Sequence, residues 1–344
     1  MFTDEPRKQR GIKERKVTAV ITSFTVHRRR RAAILATLAA SVAVLACATP
    51  ASAAFPGKNG LIVFAAKTGS GYQLYTVRPN GHKLHQITHL VGDAVHPHWS
   101  PDGHRIVFEL DHPQGEPLCS VELVNADGSG LVDLTGVRNG CEEAPSFTPV
   151  GQRIVFKRFD DTTKVDAIWR MDLTGRERQQ ITTGTDQGVT DPEVSPDGKT
   201  MSFVDNNGLQ FGQALYTSRV DGSNLHQLTP FAFDVAIKQD WAPNGQRIVF
   251  TNNADFPHPG DSANIATIKP DGTGLHYLTH YHGGQVSAFV GGYSPDAHWI
   301  VFRLEDHGRY GLYGMRRNGS NLHAILKLSS FKPRFIDWGP RTTP

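Results

Sequence analysis

The chain has 344 residues, 38% of them hydrophobic, with 34 glycines and 21 prolines, a composition too apolar for disorder and suited to a turn-rich all-β globule. Its formal net charge of +3 is set by one end: residues 1–31 hold ten of the 36 basic and three of the 33 acidic residues, which leaves residues 54–344 at −4. A phosphate-tracking surface needs clustered Lys and Arg; this sequence has no such cluster beyond the basic start, and nucleic acid is excluded as a partner.

The first segment in chain order is a leader, residues 1–53. Its basic stretch, with Arg28, Arg29, Arg30 and Arg31, runs into the uncharged sequence 32–53, which ends in the small residues A-S-A. Basic start, apolar middle and small-residue end are the parts of a secretory signal peptide. The apolar run is short and Ala-rich for a membrane span, so cleavage is expected, and membrane contact would come only through an uncleaved leader. The mature chain is then exported to the cell envelope, the periplasm or the exterior. Cysteine use agrees: Cys47 leaves with the leader, and Cys119 and Cys141 remain as an even pair in an oxidising compartment.

From residue 54 to 344 a single domain is expected, because two phrases alternate through it. The first reads HPHWSPDGHRIVF at residues 96–108 and returns as PSFTPVGQRIVF, PEVSPDGKTMSF, QDWAPNGQRIVF and GGYSPDAHWIVF. The second reads NADGSGLVDLT or RVDGSNLHQLT. The turn glycines of the second are Gly81, Gly128, Gly175, Gly222, Gly272 and Gly319, spaced by 47, 47, 47, 50 and 47 residues. Two markers holding one period of about 47 residues define a repeat in the range of a propeller blade. In S-P-D-G, proline presets φ, aspartate bonds back to the backbone and glycine accepts positive φ. Each phrase therefore closes a hairpin, and two hairpins give four antiparallel strands, A to D, which is one blade.

The sequence enters this pattern on a strand B, GLIVF, and leaves it on a strand A, RFIDWGP. The C-terminal strand is thus expected to complete the first blade and close a ring of six four-stranded blades, removing exposed edges. Aromatic residues recur at fixed register: Phe64, Phe108, Phe156, Phe203, Phe250 and Phe302 on strand B, and Tyr75, Trp169, Tyr216 and Tyr313 on strand C. Recurrence at one register is the mark of blade packing, not of a sugar-binding platform.

The string WSPDG…IVF…LY…DG…LT resembles the repeat of the TolB-type β-propellers (WD40-like, PD40 repeat), across essentially residues 55–340. The resemblance implies the six-bladed propeller fold and says little of function, since propellers host unrelated roles.

Catalytic motifs are absent. The nearest strings to G-x-S-x-G are GYSPD at Gly292 and DGSGL at Asp127, both hairpin turns, and no phosphate-binding loop or zinc-protease motif occurs. No cofactor is expected. Sixteen histidines raise a metal reading, with Asp93, His96, His280 and His282 as its candidates; His85, His226, His276 and His323, by contrast, share one repeat position, which is the behaviour of structural residues. The A–B and C–D turns are short and uniform, whereas the B–C and D–A loops on the other face vary, as at 251–265 and 279–292. Function in such a ring belongs to the variable face. Residues entering strand A there, His96, Glu143, Asp191, Lys238 and Arg334, are the candidate binding residues at the channel mouth. Cys119 and Cys141 fall on the same face and are expected to form a disulfide. The expected role is a monomeric, non-catalytic module binding another envelope or extracellular protein; the alternative is a metal-assisted polysaccharide lyase working through channel-mouth histidines.

Overall fold

The S-P-D-G turns close on one recurring set of hydrogen bonds. Asp102 accepts the Ser100 hydroxyl (2.5 Å) and the His104 N–H (3.0 Å), while Arg105 N–H donates to Ser100 Oγ (2.9 Å). Asp197 with Ser195, and Asp296 with Ser294, repeat the set at 2.6–3.1 Å. The second phrase forms its own side-chain turns, in which Asp127, Asp172, Asp221, Asp271 and Asn318 each accept the N–H and hydroxyl of the residue two further on. Gly128 in that phrase holds φ at 87°, and a Cβ there would run into the Ile87 carbonyl of the preceding unit. Its glycine is therefore required by a close approach as well as by the turn.

These turns connect 24 strands in a computed structural model that describes residues 56–342, apart from 70, 114–117, 137–139, 183–187, 207, 209–211 and 254–260. The expected leader, residues 1–53, lies outside the described residues. β1 (Asn59–Thr68), β2 (Gly71–Val77) and β3 (His85–Gln86) share a sheet with the last strand, β24 (Arg334–Pro340), in the order β24–β1–β2–β3. Next come β4 (Asp93–Trp99), β5 (Arg105–Asp111), β6 (Cys119–Asn125), β7 (Val132–Asp133), β8 (Cys141–Phe147), β9 (Arg153–Asp160), β10 (Val165–Asp172) and β11 (Gln179–Gln180). Three four-stranded sheets follow. They are β12 (Thr190–Val194), β13 (Thr200–Asp205), β14 (Ala214–Arg219) and β15 (His226–Gln227); β16 (Val235–Trp241), β17 (Ile248–Asn252), β18 (Asn264–Ile268) and β19 (His276–Tyr277); and β20 (Val286–Tyr293), β21 (Trp299–Asp306), β22 (Arg309–Arg316) and β23 (His323–Ser329).

The all-β propeller expected from the repeat is present, but six separate blades are not. Four sheets of four strands stand apart, and β4 to β11 form one eight-stranded sheet. The departure has a local cause. Cys119 and Cys141 open β6 and β8 and are joined by a disulfide with Cα atoms 4.8 Å apart, and the same two residues form a parallel bridge between the strands. The expected disulfide is thus present, with Cys141 at the start of β8. A second correction concerns residues 279–292, read as a loop from sequence: their second half belongs to β20.

Five of the six strand B phenylalanines are fully buried and Phe203 is 3% exposed. Phe64–Tyr75, Phe203–Tyr216 and Phe302–Tyr313 pack with ring centroids 5.8–6.2 Å apart. The aromatic register therefore builds the core, as read from sequence. The outermost strands explain the repeated threonine. β3, β7, β11, β15 and β19 are only two residues long, and the threonine that follows each one, Thr88, Thr135, Thr182, Thr229 or Thr279, accepts the N–H of Leu74, Val121, Ile168, Leu215 or Ile265 at 2.8–3.0 Å. A hydroxyl takes over where the ladder stops. The sixth copy has Leu326 at this position, and there the strand itself, β23, extends to seven residues.

Candidate functional site

β4, β8, β12, β16, β20 and β24 are the innermost strands; each packs on the next, and β24 packs on β4. Every one carries a β-bulge or a comparable register shift. In five of them the irregularity centres on a residue with positive φ: His96 (47°), Ala144 (46°), Asp191 (52°), Lys238 (120°) and Phe335 (48°). Bulges re-aim side chains, and these positions bring the polar groups of the inner strands together.

Two residues past the positive-φ residue in those five strands, and at the matching position of β20, the chain places a polar or small residue ahead of the strand's last aromatic or apolar side chain. These are His98, Ser146, Glu193, Asp240, Gly292 and Asp337. They stitch neighbouring strands: Trp99 N–H donates to Asp337 Oδ2 (2.7 Å), Phe147 N–H to His98 Nδ1 (3.3 Å), and Tyr293 N–H to Asp240 Oδ2 (2.5 Å). Ser146 Oγ–H donates to the Pro192 carbonyl (2.5 Å). Around these residues only a narrow cavity of about 30 Å³ remains, lined from all six inner strands, which is room for about one water. Burial lowers the pKa values of His96 and His98 to about 4, so both imidazoles are neutral at pH 7. Burial raises Asp240 to about 7.

The five residues expected at the mouth divide by role. His96 Nδ1 lies 2.8 Å from Glu109 Oε2, and its ring sits 3.7 Å from that of Phe335. Glu143 pairs with Lys157 Nζ at 2.7 Å. Asp191 is buried and accepts the Gln239 N–H (3.0 Å) across the inner strands. Lys238 is buried against Glu193, with Nζ 2.8 Å from Oε1. Burial lowers its pKa, but Glu193, Asp191, Asp337 and Asp240 outweigh that and hold it above the ordinary lysine value. Arg334 is half-buried, donates to Tyr72 Oη (3.2 Å) and lies over the rings of Tyr72 and Phe335. Lys238 and Arg334 line one cavity of about 270 Å³ between the starts of β16, β20 and β24, with Asn253, Phe289 and Arg303. Asp191 and Lys238 thus tie inner strands together, while Arg334 has no carboxylate within ion-pair distance among the described residues.

Sequence reading missed Glu109, Glu193, Asp240, Arg303 and Asp337. A polar residue directly before the aromatic that ends strand A recurs in the repeat and marks His98, Asp240 and Asp337. Glu109 and Arg303 follow the strand B phenylalanines by one residue, a position with no comparable signal. Asp93, His96, His280 and His282 do not converge: Asp93 accepts the Tyr72 N–H (2.7 Å), and His280 and His282 are exposed. Among the described residues, the groups with converging ligand atoms are Cys119, Cys141 and Glu143, and Glu109, Asp111 and Cys119; both rely on sulfurs committed to the disulfide. No described helix is long and apolar enough to cross a membrane.

Over residues 129–342 the chain matches the family described as the TolB beta propeller domain, PD40. An uncharacterized protein of Agrobacterium fabrum is 30% identical over 159 residues, covering 44% of this chain and 50% of the relative. A protein named TolB homolog from Chlorobium chlorochromatii is 26% identical over 149 residues, covering 42% of this chain and 30% of the relative. The chain therefore spans half or less of the length of these curated relatives. The crystal structure of TolB from Acinetobacter baumannii superposes with a TM-score of 0.65 at 20% identity, covering 84% of this chain and 69% of that one, a likeness of fold.

Proposed function

The chain belongs to the TolB β-propeller family, and from that premise we propose that it is an exported, non-catalytic module that binds another envelope or extracellular protein through its B–C and D–A loop face. In this reading the eight-stranded sheet is two blades tied by Cys119–Cys141, which makes the ring six-bladed. The observation that carries the proposal is the composition of one cavity on the loop face. The A–B turns at Asp102, Asp197 and Asp296 repeat one hydrogen-bond set. The other face opens into the cavity of about 270 Å³ whose residues, Lys238, Phe289, Arg303 and Arg334, do not repeat from unit to unit. Apolar and cationic groups together at a concave mouth are the composition of a protein-docking site, and Ile237 at its edge is 42% exposed.

A photo-cross-linking amino acid at Ile237, compared with one at the exposed turn residue Asn244, tests this in the envelope fraction of the source cells. Mass spectrometry should identify one protein joined at Ile237 and absent at Asn244. Equal labelling from both positions, or labelling from Asn244 alone, would place binding on the other face and end the proposal.

A further inference from the structure

We infer that the cavity between β16, β20 and β24 is a carboxylate subsite that takes an acidic group of a peptide segment, a reading that rests on the loop-face docking proposed above. The charge at this mouth does not balance. Glu305 serves two cations, with Arg303 Nη2 at 2.8 Å and Lys332 Nζ at 3.1 Å, and Arg334 adds a third charge with no carboxylate of its own among the described residues. Lys238 adds no further free charge, because it is committed to Glu193, with Asp191 nearby.

The donors are also unfinished. Arg303 is 8% exposed and stacks on the Phe289 ring at 4.1 Å, yet among the described residues its buried Nε has no hydrogen-bond partner. A buried, charged donor without an acceptor is costly, so native proteins seldom leave one without a reason. Burial lowers the Arg303 pKa to about 10, with Arg334 adding to the lowering, and it remains charged at neutral pH. Asn253 Oδ1, in the same cavity, is likewise buried without a partner among the described residues. One group asks for an anion and the other for an N–H, and a peptide bearing a carboxylate supplies both. The apolar part of the wall, Ile237, Val290, Phe335 and Ile336, distinguishes this site from one for a bare inorganic anion, which would leave those side chains uncovered.

The test follows the Arg303 Nε–H resonance in the nitrogen-15-labelled chain while three probes are titrated: acetyl-Leu-Glu-Leu-amide, its Gln counterpart, and acetyl-Leu-Leu with a free C-terminal carboxylate. At least one carboxylate peptide should move that resonance and bind roughly tenfold tighter than the Gln peptide, as expected when a charge-assisted hydrogen bond is lost. Which of the two does so assigns the group to an acidic side chain or to a chain end. Arg334→Met should weaken binding by about tenfold with the melting temperature unchanged. Failure of both carboxylate peptides to bind more tightly than the Gln peptide, an indifferent Arg334→Met variant, or inorganic phosphate matching the peptides at equal concentration would each overturn the subsite. If the peptides fail while Ile237 still cross-links its partner, the subsite falls and the docking face stands.

Discussion

Aspartates in this chain do two opposite things, and their hydrogen bonds decide which. At Asp102 burial raises the pKa, but the Ser100 hydroxyl and His104 N–H outweigh it and hold the carboxyl below its ordinary value. Because Asp197 makes the same bonds, Asp→Ala at Asp102 and Asp197 should cost a similar amount, on the order of 0.5–2 kcal/mol as for a lost cap, and at Asp296, which also accepts the Asn59 Nδ2–H (3.0 Å), somewhat more. Chemical denaturation of the three variants measures it, and one variant far outside the others' range would mean that its turn does more than build. Asp111 is the opposite case. Burial, then the charge of Glu109 and the hydrogen bond shared with it, raise Asp111 to about 8, and burial raises Glu109 to about 7. The unfolded chain releases these protons near pH 4. The folded state binds more protons between about pH 4 and 8, so the stability from this pair is full below that window and is lost as pH rises through about 8. His96 and His98, lowered from 6.5 to about 4, remove stability as pH falls from 6.5 toward 4, so the carboxyl effect is read above pH 6.5. Asp111→Asn should flatten the decline in melting temperature between pH 6.5 and 9, and parallel declines in parent and variant would refute the assignment. The role of Asp102 was legible in sequence because its partners lie within a few residues. The pairing of Asp191 with Gln239, or of Lys238 with Glu193, joins positions about one repeat apart, and no local pattern encodes it.

Among the elements, the short outer strands show how a repeat tolerates variation. Where threonine is present two residues of strand suffice, and where Leu326 replaces it β23 must continue the ladder. The repeated L-T pair was legible as a marker, but its purpose needed the geometry of the strand beside it. The strand starts at Cys119 and Cys141 form the other exceptional element, since their bridge converts two antiparallel groups into one sheet. Closing a loop of 22 residues corresponds to roughly 3 kcal/mol in the chain-entropy account. Mass spectrometry of the purified chain under non-reducing conditions should find the two cysteine peptides linked, and Cys141→Ser should lower the melting temperature. Two free thiols in the isolated protein would remove both the bridge and the support it lends to export.

For the molecule as a whole, the ring is joined where β24 lies on β1, with Ile62 opposite Trp338 and Val63 opposite Asp337. Trp338 and Ile336 are buried there beside Ile62 and Phe64, and Asp337 holds the Trp99 N–H of the next inner strand. Deleting residues 334–344 therefore exposes core and leaves an open sheet edge, and thermal melting should lose its cooperativity. A truncated protein that melts within a few degrees of its parent would show that closure contributes little. The repeat period, the turns and the closing strand were readable because each is written in neighbouring residues or in register. The cavity at Arg303 and Arg334 was not, because it depends on which blades the ring brings side by side and on the bulges that turn their strands.

The pairing of β1 with β24 also orders events in time. Asn59 and Pro340 face each other across about 280 residues of chain, so the first sheet to emerge during synthesis is the last that can be completed. Contacts so distant in sequence slow folding, and until they form β1 keeps an unpaired edge open to wrong partners. If the chain crosses a membrane unfolded, that interval falls after transport, and a folding helper acting on β1 in the destination compartment would have its greatest effect there.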